Sequence, residues 1–235
     1  LAGREVHVVY NGFDPADFEG PGHSADYGEN AVGAFAIGSS GSGAMGSSIV
    51  HHGAEHSSGQ FTISHFGAFN RDRNPSALWT ALERLVSEIP AFGEKLKIRL
   101  IGQTDETILQ EIRDHGLREQ LELLPHLEHR EGLRVLGNSS VLLLPLNDAP
   151  NAREILPGKM YEYMALGRPI LAIGPSGSDC EDILTQAGAG SYHPFTDTEG
   201  IQTALEKEFR RWQKGEERPL PRKIEKFSRR HLAGE

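Results

Sequence analysis

Val141-Leu-Leu-Leu-Pro-Leu146 is the run that decides the fold class. Six apolar residues follow one another without the alternation of a half-solvated strand, so the segment suits a parallel sheet covered on both faces. Short apolar runs of the same kind recur on either side of it: Phe61–His65, Lys97–Ile101, Leu121–Leu124, Pro169–Ile173 and, more weakly, Ser191–Phe195. Between them lie amphipathic segments that predict helices over Pro75–Ile89, Glu106–His115, Arg130–Gly137, Lys159–Leu166, Asp179–Gln186 and Glu199–Gln213. In the first, Leu78, Leu82, Leu85 and Val86 form the i, i+4, i+7, i+8 stripe of a helix packed on a sheet. Pro75 stands where a helix can begin, its absent N–H having no intrahelical partner there. Strand and helix in strict alternation imply an α/β fold, a Rossmann-like doubly wound parallel sheet of about six strands with ligands at the strands' carboxyl ends.

Upstream of Phe61 the pattern breaks down. Residues 1–18 hold a strand-like run, Val6–Tyr10, and a turn, Asn11-Gly-Phe-Asp-Pro15. Residues 19–60 form a second zone. From Ala31 to Gln60 about half the positions are Gly or Ser and no period is sustained, which reads as a flexible insertion before the α/β domain of residues 61–235. The opening Leu1-Ala-Gly-Arg-Glu carries no initiator Met and reads as the middle of a longer protein.

The net charge of −9 argues against nucleic acid as a partner, because phosphate backbones demand clustered Lys and Arg. Arg210 to His231 is nonetheless locally basic. That stretch is either a solvated helical face or a contact for an anionic membrane surface. A single cysteine, Cys180, cannot form an internal disulfide and fits a reducing cytoplasm. No apolar run approaches the ~20 residues of a membrane span.

Two stretches could carry chemistry. Gly67-Ala-Phe-Asn-Arg71-Asp-Arg73-Asn-Pro75 joins a strand to a helix, which gathers backbone N–H groups and the positive helix end at one spot, a place for phosphate. Arg71 and Arg73 could add paired donors, although arginines near helix starts are common surface residues. The second stretch runs from Glu154-Ile-Leu-Pro-Gly through Lys159-Met-Tyr-Glu162 to Gly167. Pro157-Gly158 separates the two carboxylates, leaving Glu154 on a loop and Glu162 near the helix start. Lys159 in the first turn is unfavourable against the helix dipole, a placement that suggests a nearby anion. Glu162 is either a solvated helix charge or an acceptor for the vicinal hydroxyls of a ribose.

The segment Gly158–Leu171 (GKMYEYMALGRPIL) resembles the donor-site helix of family-4-like, two-domain (GT-B) glycosyltransferases, and Glu154-x7-Glu162 matches their Glu-x7-Glu spacing. Asn11-Gly-Phe-Asp resembles the turn that leads from their interdomain linker into the C-terminal domain. The likeness spans residues 5–18 and 61–232. It implies that the chain is the donor-binding half of a GT-B enzyme, using a UDP- or GDP-linked sugar as substrate, with no metal or other cofactor. By the same resemblance, transfer would retain anomeric configuration and would need the N-terminal acceptor domain as partner, this half alone being inactive. Glu162 would bind ribose, and Glu154 would lie near the sugar and the reacting centre. Arg73 would meet the diphosphate, with Gly67, Arg71 and Met160 in the donor site. His126 and Leu127, in Pro125–His129, would lie against the base. Many relatives carry a lysine where Asn74 stands, and Lys159 would supply that charge instead.

Other residues are weaker candidates. His51, His52 and His56 lack carboxylate support for a metal. Gly174-Pro-Ser-Gly-Ser178 precedes a helix and is either a phosphate loop or a plain turn with Ser178 as N-cap. Cys180, near that helix start, could have a lowered pKa. A nucleotide-sugar 2-epimerase half and a non-catalytic nucleotide-binding module are the rival readings.

Overall fold

The computed structural model describes residues 59–149 and 152–216, together with Asp14 and Pro221. The expected strand at Val6–Tyr10, most of the Asn11–Pro15 turn, the Gly/Ser-rich zone with its three histidines and most of the basic C-terminal stretch lie outside the described residues.

Among the described residues six strands form one parallel sheet: β1 (Phe61–Phe66), β2 (Leu96–Ile101), β3 (Leu121–Leu124), β4 (Val141–Pro145), β5 (Ile170–Gly174) and β6 (Gly190–Pro194). The order across the sheet is β3-β2-β1-β4-β5-β6. The chain therefore builds outward from β1 to one edge, then returns to the centre and builds to the other. The seam between β1 and β4 is the topological switch point, where loops diverge and leave a crevice at the carboxyl ends. The uniformly apolar β4 and β5, and β1 with them, are buried along their whole length, as two-sided cover requires.

Seven helices among the described residues supply that cover: α1 (Ser76–Glu88), α2 (Pro90–Lys95), α3 (Glu106–Asp114), α4 (His129–Gly137), α5 (Gly158–Ala165), α6 (Asp179–Ala187) and α7 (Thr198–Gln213). On one face α1, α2, α3 and α7 enclose a core rich in large aromatics, among them Phe61, Phe69, Trp79, Phe92 and Phe209. On the other, α4, α5 and α6 enclose a core that includes Met160, Tyr161, Tyr163, Met164 and Cys180. Side-chain caps start three helices: Asp105 accepts from Thr107 N–H, Ser178 from Cys180 N–H and Asp197 from Gly200 N–H.

Differences from the sequence reading are local. The first helix stops at Glu88, because Ile89 precedes a proline and is extended, and a further short helix, α2, follows from Pro90. Three-residue 3-10 turns occupy Arg71–Arg73, Arg118–Gln120 and Ala152–Glu154, so Glu154 belongs to a turn and not to open loop. Cys180 is fully buried with its Sγ 3.3 Å from Met160 Sδ, and burial pushes its thiol up to about 12. The expected lowering fails because loss of hydration outweighs a helix end.

Candidate functional site

At the switch point the loop after β1 meets the first turn of α5. Gly67 follows β1 with φ +105°, a backbone conformation that L side chains rarely adopt, and its N–H donates to Ile101 O at 2.7 Å. A Cβ at Gly67 would stand 2.5 Å from Lys159 Nζ. The ammonium of Lys159 therefore rests directly on the glycine, and any larger residue there would expel it. Gly102, φ +109°, packs its backbone against Gly67 from the β2 side. Hydrogen bonds from Phe69 N–H to Gln103 O and from Asp105 N–H to Phe69 O lock the two loops together.

Arg73 closes the other side. Its Nε donates to Asn147 Oδ1 in the loop after β4, and Asp148 N–H donates to Asp72 O at 2.8 Å. These bonds tie the phosphate-loop candidate across the switch point. Burial and the charge of Arg73 lower the Lys159 ammonium to about 8, while Glu162 works in the opposite sense. Two cations thus face one region with one carboxylate partly offsetting them, a field that favours an anion.

Beneath them lies His65, fully buried at the end of β1. Its Nδ1 donates to Leu143 O at 3.1 Å, and its Nε2 is buried as well. Burial first, and then the charge of Lys159, hold the ring down to about 3, so it stays neutral under the cations. Tyr163, one position past Glu162, is buried too, and its hydroxyl accepts from Phe66 N–H at 3.1 Å. That bond fixes α5 to the carboxyl end of β1, which sets the Lys159–Gly67 contact.

Glu162 lies one turn beyond Lys159. Its Oε1 pairs at 3.2 Å with Nε2 of His129, the first residue of α4. His126 is exposed and Leu127 half-buried in the segment that leads into that helix. The structure thus brings Gly67, Arg73, Lys159 and Glu162 to one end of the sheet, with the 126–129 segment beside Glu162.

Three further expected residues have different settings. Glu154 is exposed, and its carboxylate makes no hydrogen bond or ion pair among the described residues. Arg71 is exposed and lines a shallow groove of about 350 Å³ with Asp72, Asn74, Ser76, Asp148 and Phe195. Met160 is fully buried, with its N–H bonded to Pro157 O. Asn74 is engaged elsewhere, accepting from Trp79 Nε1 at 2.8 Å and donating to Glu111, which leaves Lys159 as the cation beside Arg73. The Gly174–Ser178 turn is accounted for by Ser178 as N-cap. His129 escapes a reading of the sequence, for its partner lies 33 residues away.

A family model described as glycosyl transferases group 1 matches residues 60–208. Several solved structures share the fold. WaaG, a glycosyltransferase involved in lipopolysaccharide biosynthesis, superposes with TM-score 0.54 at 13% identity, over 66% of this chain and 40% of that one. Anabaena Alr3699/HepE in complex with UDP gives 0.52 at 16% identity, over 67% and 41%. Sucrose-phosphate synthase from Thermosynechococcus elongatus gives 0.51 at 17% identity, over 74% and 41%. The chain therefore spans about 40% of the length of the solved structures it matches. No curated protein sequence matches.

Proposed function

The chain belongs to the glycosyl transferases group 1, and we propose that it binds the nucleotide-diphospho-sugar donor at the switch point, as one half of a retaining enzyme. The observation that supports this most is the seating of Lys159 on Gly67 beside Arg73, with Glu162 one turn away. In this reading the two cations meet the diphosphate. They oppose little charge in the resting site and most when the sugar departs and negative charge gathers on the leaving group, the kind of stabilisation that dominates such transfers. Glu162 accepts from ribose hydroxyls, the 126–129 segment lies along the base, and Glu154, exposed on its 3-10 turn, faces the sugar and the acceptor. Relatives of the fold are consistent with the donor class: one is described in complex with UDP, and another, from E. coli, is described as bound with UDP-2-fluoro glucose.

Transfer itself requires a second wall. The proposed site opens at the carboxyl ends of the strands, and orienting donor and acceptor contributes several kcal/mol, up to roughly 7–11 in favourable cases. The chain alone should bind nucleotide weakly and transfer no sugar. An N-terminal acceptor-binding domain would restore activity. No helix among the described residues is long and apolar enough to cross a membrane. Contact with an anionic membrane surface through the basic stretch after Arg210 belongs to the same proposal.

The experiment is calorimetry with UDP and GDP on wild type and Glu162→Gln. The substitution should weaken binding by about 1.5–3 kcal/mol, the worth of a hydrogen bond to a charged group. The melting temperature should barely move, since Glu162 is only half-buried and its partner is on the surface. Equal affinities in the two proteins would remove the ribose assignment.

A further inference from the structure

A glutamate on a helix ordinarily finds its nearest cation three or four residues away. Glu162 has one, Lys159, at i−3, close enough to be felt electrostatically. Yet it forms no ion pair with Lys159. Its carboxylate pairs instead with His129, 33 residues distant on another helix. The side chains of His129 and Glu162 are 44% and 22% exposed, so the pair is reached from solvent and is not a core bridge. His129 also opens α4 directly after Pro125–Glu128, the segment proposed to lie along the base.

We propose that His129 is a positioning residue for Glu162, and that the pair sets the preference for ribonucleotides over 2′-deoxyribonucleotides. The inference rests on the ribose reading of Glu162. With Nε2 carrying a proton, His129 donates to Oε1 and confines a side chain that would otherwise sample several rotamers. The second oxygen, Oε2, is left to accept from a ribose hydroxyl. The pairing also holds the carboxylate away from Lys159. Without it Glu162 would swing to the i−3 ammonium, neutralising the cation proposed for the diphosphate and withdrawing the acceptor from the ribose. His129 thus keeps the two recognition tasks of α5 separate.

The test uses the whole chain and matched pairs of nucleotides: UDP with 2′-deoxy-UDP, and GDP with 2′-deoxy-GDP. Affinities are measured by calorimetry for wild type, His129→Ala, His129→Gln and Glu162→Gln, each checked for an unchanged melting temperature. For the base that binds, wild type should prefer the ribo form by about tenfold or more, as one hydrogen bond to a carboxylate implies. In His129→Ala the preference should shrink to about threefold or less. His129→Gln, which keeps a donor near the same place, should recover a large part of it, a rescue that bulk packing alone would not produce. If Glu162→Gln loses the preference while His129→Ala keeps the wild-type ratio, the positioning role is wrong and the ribose reading stands. If Glu162→Gln itself keeps the wild-type ratio, the ribose reading fails and this inference goes with it.

Discussion

The two faces of the sheet are built from different materials. On the α1/α2/α3/α7 face, Phe61 packs edge-on against Phe209 with ring centroids 5.4 Å apart, and Phe92 lies 5.0 Å from Phe209. These rings contribute buried apolar area. On the α4/α5/α6 face the buried side chains include several that carry hydroxyls or sulfur, Tyr161, Tyr163, Met160, Met164 and Cys180. The reason is α5, which is core along one stripe and lines the proposed site along the other. Tyr163 shows how both are met, a buried ring whose hydroxyl holds the end of the strand that leads to Gly67, on which Lys159 leans. The cluster of Phe61, Phe92 and Phe209 can be changed without touching the proposed site, whereas Tyr163 cannot.

Phe61→Ala should break the comparison most visibly in stability. Removing a fully buried ring costs about 3–5 kcal/mol, read as a lower urea midpoint, while the folded fraction keeps its nucleotide affinity. Tyr163→Phe should cost less, about 1–3 kcal/mol, because it leaves the Phe66 N–H buried without its acceptor. Here, however, the loss should extend to binding, since α5 is no longer pinned to β1. If Tyr163→Phe lowered stability and left UDP and GDP affinity untouched, the distinction between the faces would collapse.

Lys159 sharpens the same contrast through pH. Its ammonium is lowered to about 8 in the fold against 10.5 for the free group. Between these values the unfolded chain binds more protons than the folded one, so this group makes stability rise as pH climbs from about 8 to 10.5. Anion binding should move in the opposite direction. Above about pH 8 only a falling fraction is cationic, and apparent nucleotide affinity should drop, by about tenfold at roughly pH 9 if the neutral form does not bind. Titrations at about pH 7, 8 and 9 check this, and Lys159→Met should flatten the profile. The smallest effect is expected of Glu154→Gln. An exposed residue on a turn should change stability within about 0.5 kcal/mol and leave UDP or GDP affinity alone, so that any defect shows only with a sugar-bearing donor.

Much of this architecture is legible in the sequence, and the exceptions have a common cause. Each of the six strands and six of the seven helices among the described residues lie where periodicity puts them, because parallel strands and amphipathic helices are local patterns. The helix at Pro90–Lys95 is hidden by Pro90 and Gly93, which read as punctuation. Lys159 announces itself by standing against a helix dipole. The burial of Met160 is signalled as well. Residues 160, 161 and 164 form the apolar stripe of α5 and leave 159 and 162 outside it. Cys180 likewise begins the stripe Cys180, Ile183, Leu184, Ala187. The engagement of Asn74 with Glu111, and of His129 with Glu162, depends on how helices lie beside one another. No spacing along one segment encodes that.

The seam between β1 and β4 has a kinetic consequence. Its register consists of two residue pairs, Ile63 with Val141 and Ser64 with Leu142. Side chains supplement it: Ser139 donates to Ser64 at 2.7 Å, Ser140 accepts from Thr62 N–H at 3.1 Å, and His65 reaches Leu143 O. Every one of these contacts closes a loop of more than seventy residues, whereas β1 to β2 and β4 to β5 close far shorter ones. Long closures are slow because their entropy is lost before any contact rewards it. Each half should therefore gather its own strands and helices first, and the halves should join last. The crevice that holds Arg73 on one side and Lys159 on the other would then be the final part of the molecule to exist.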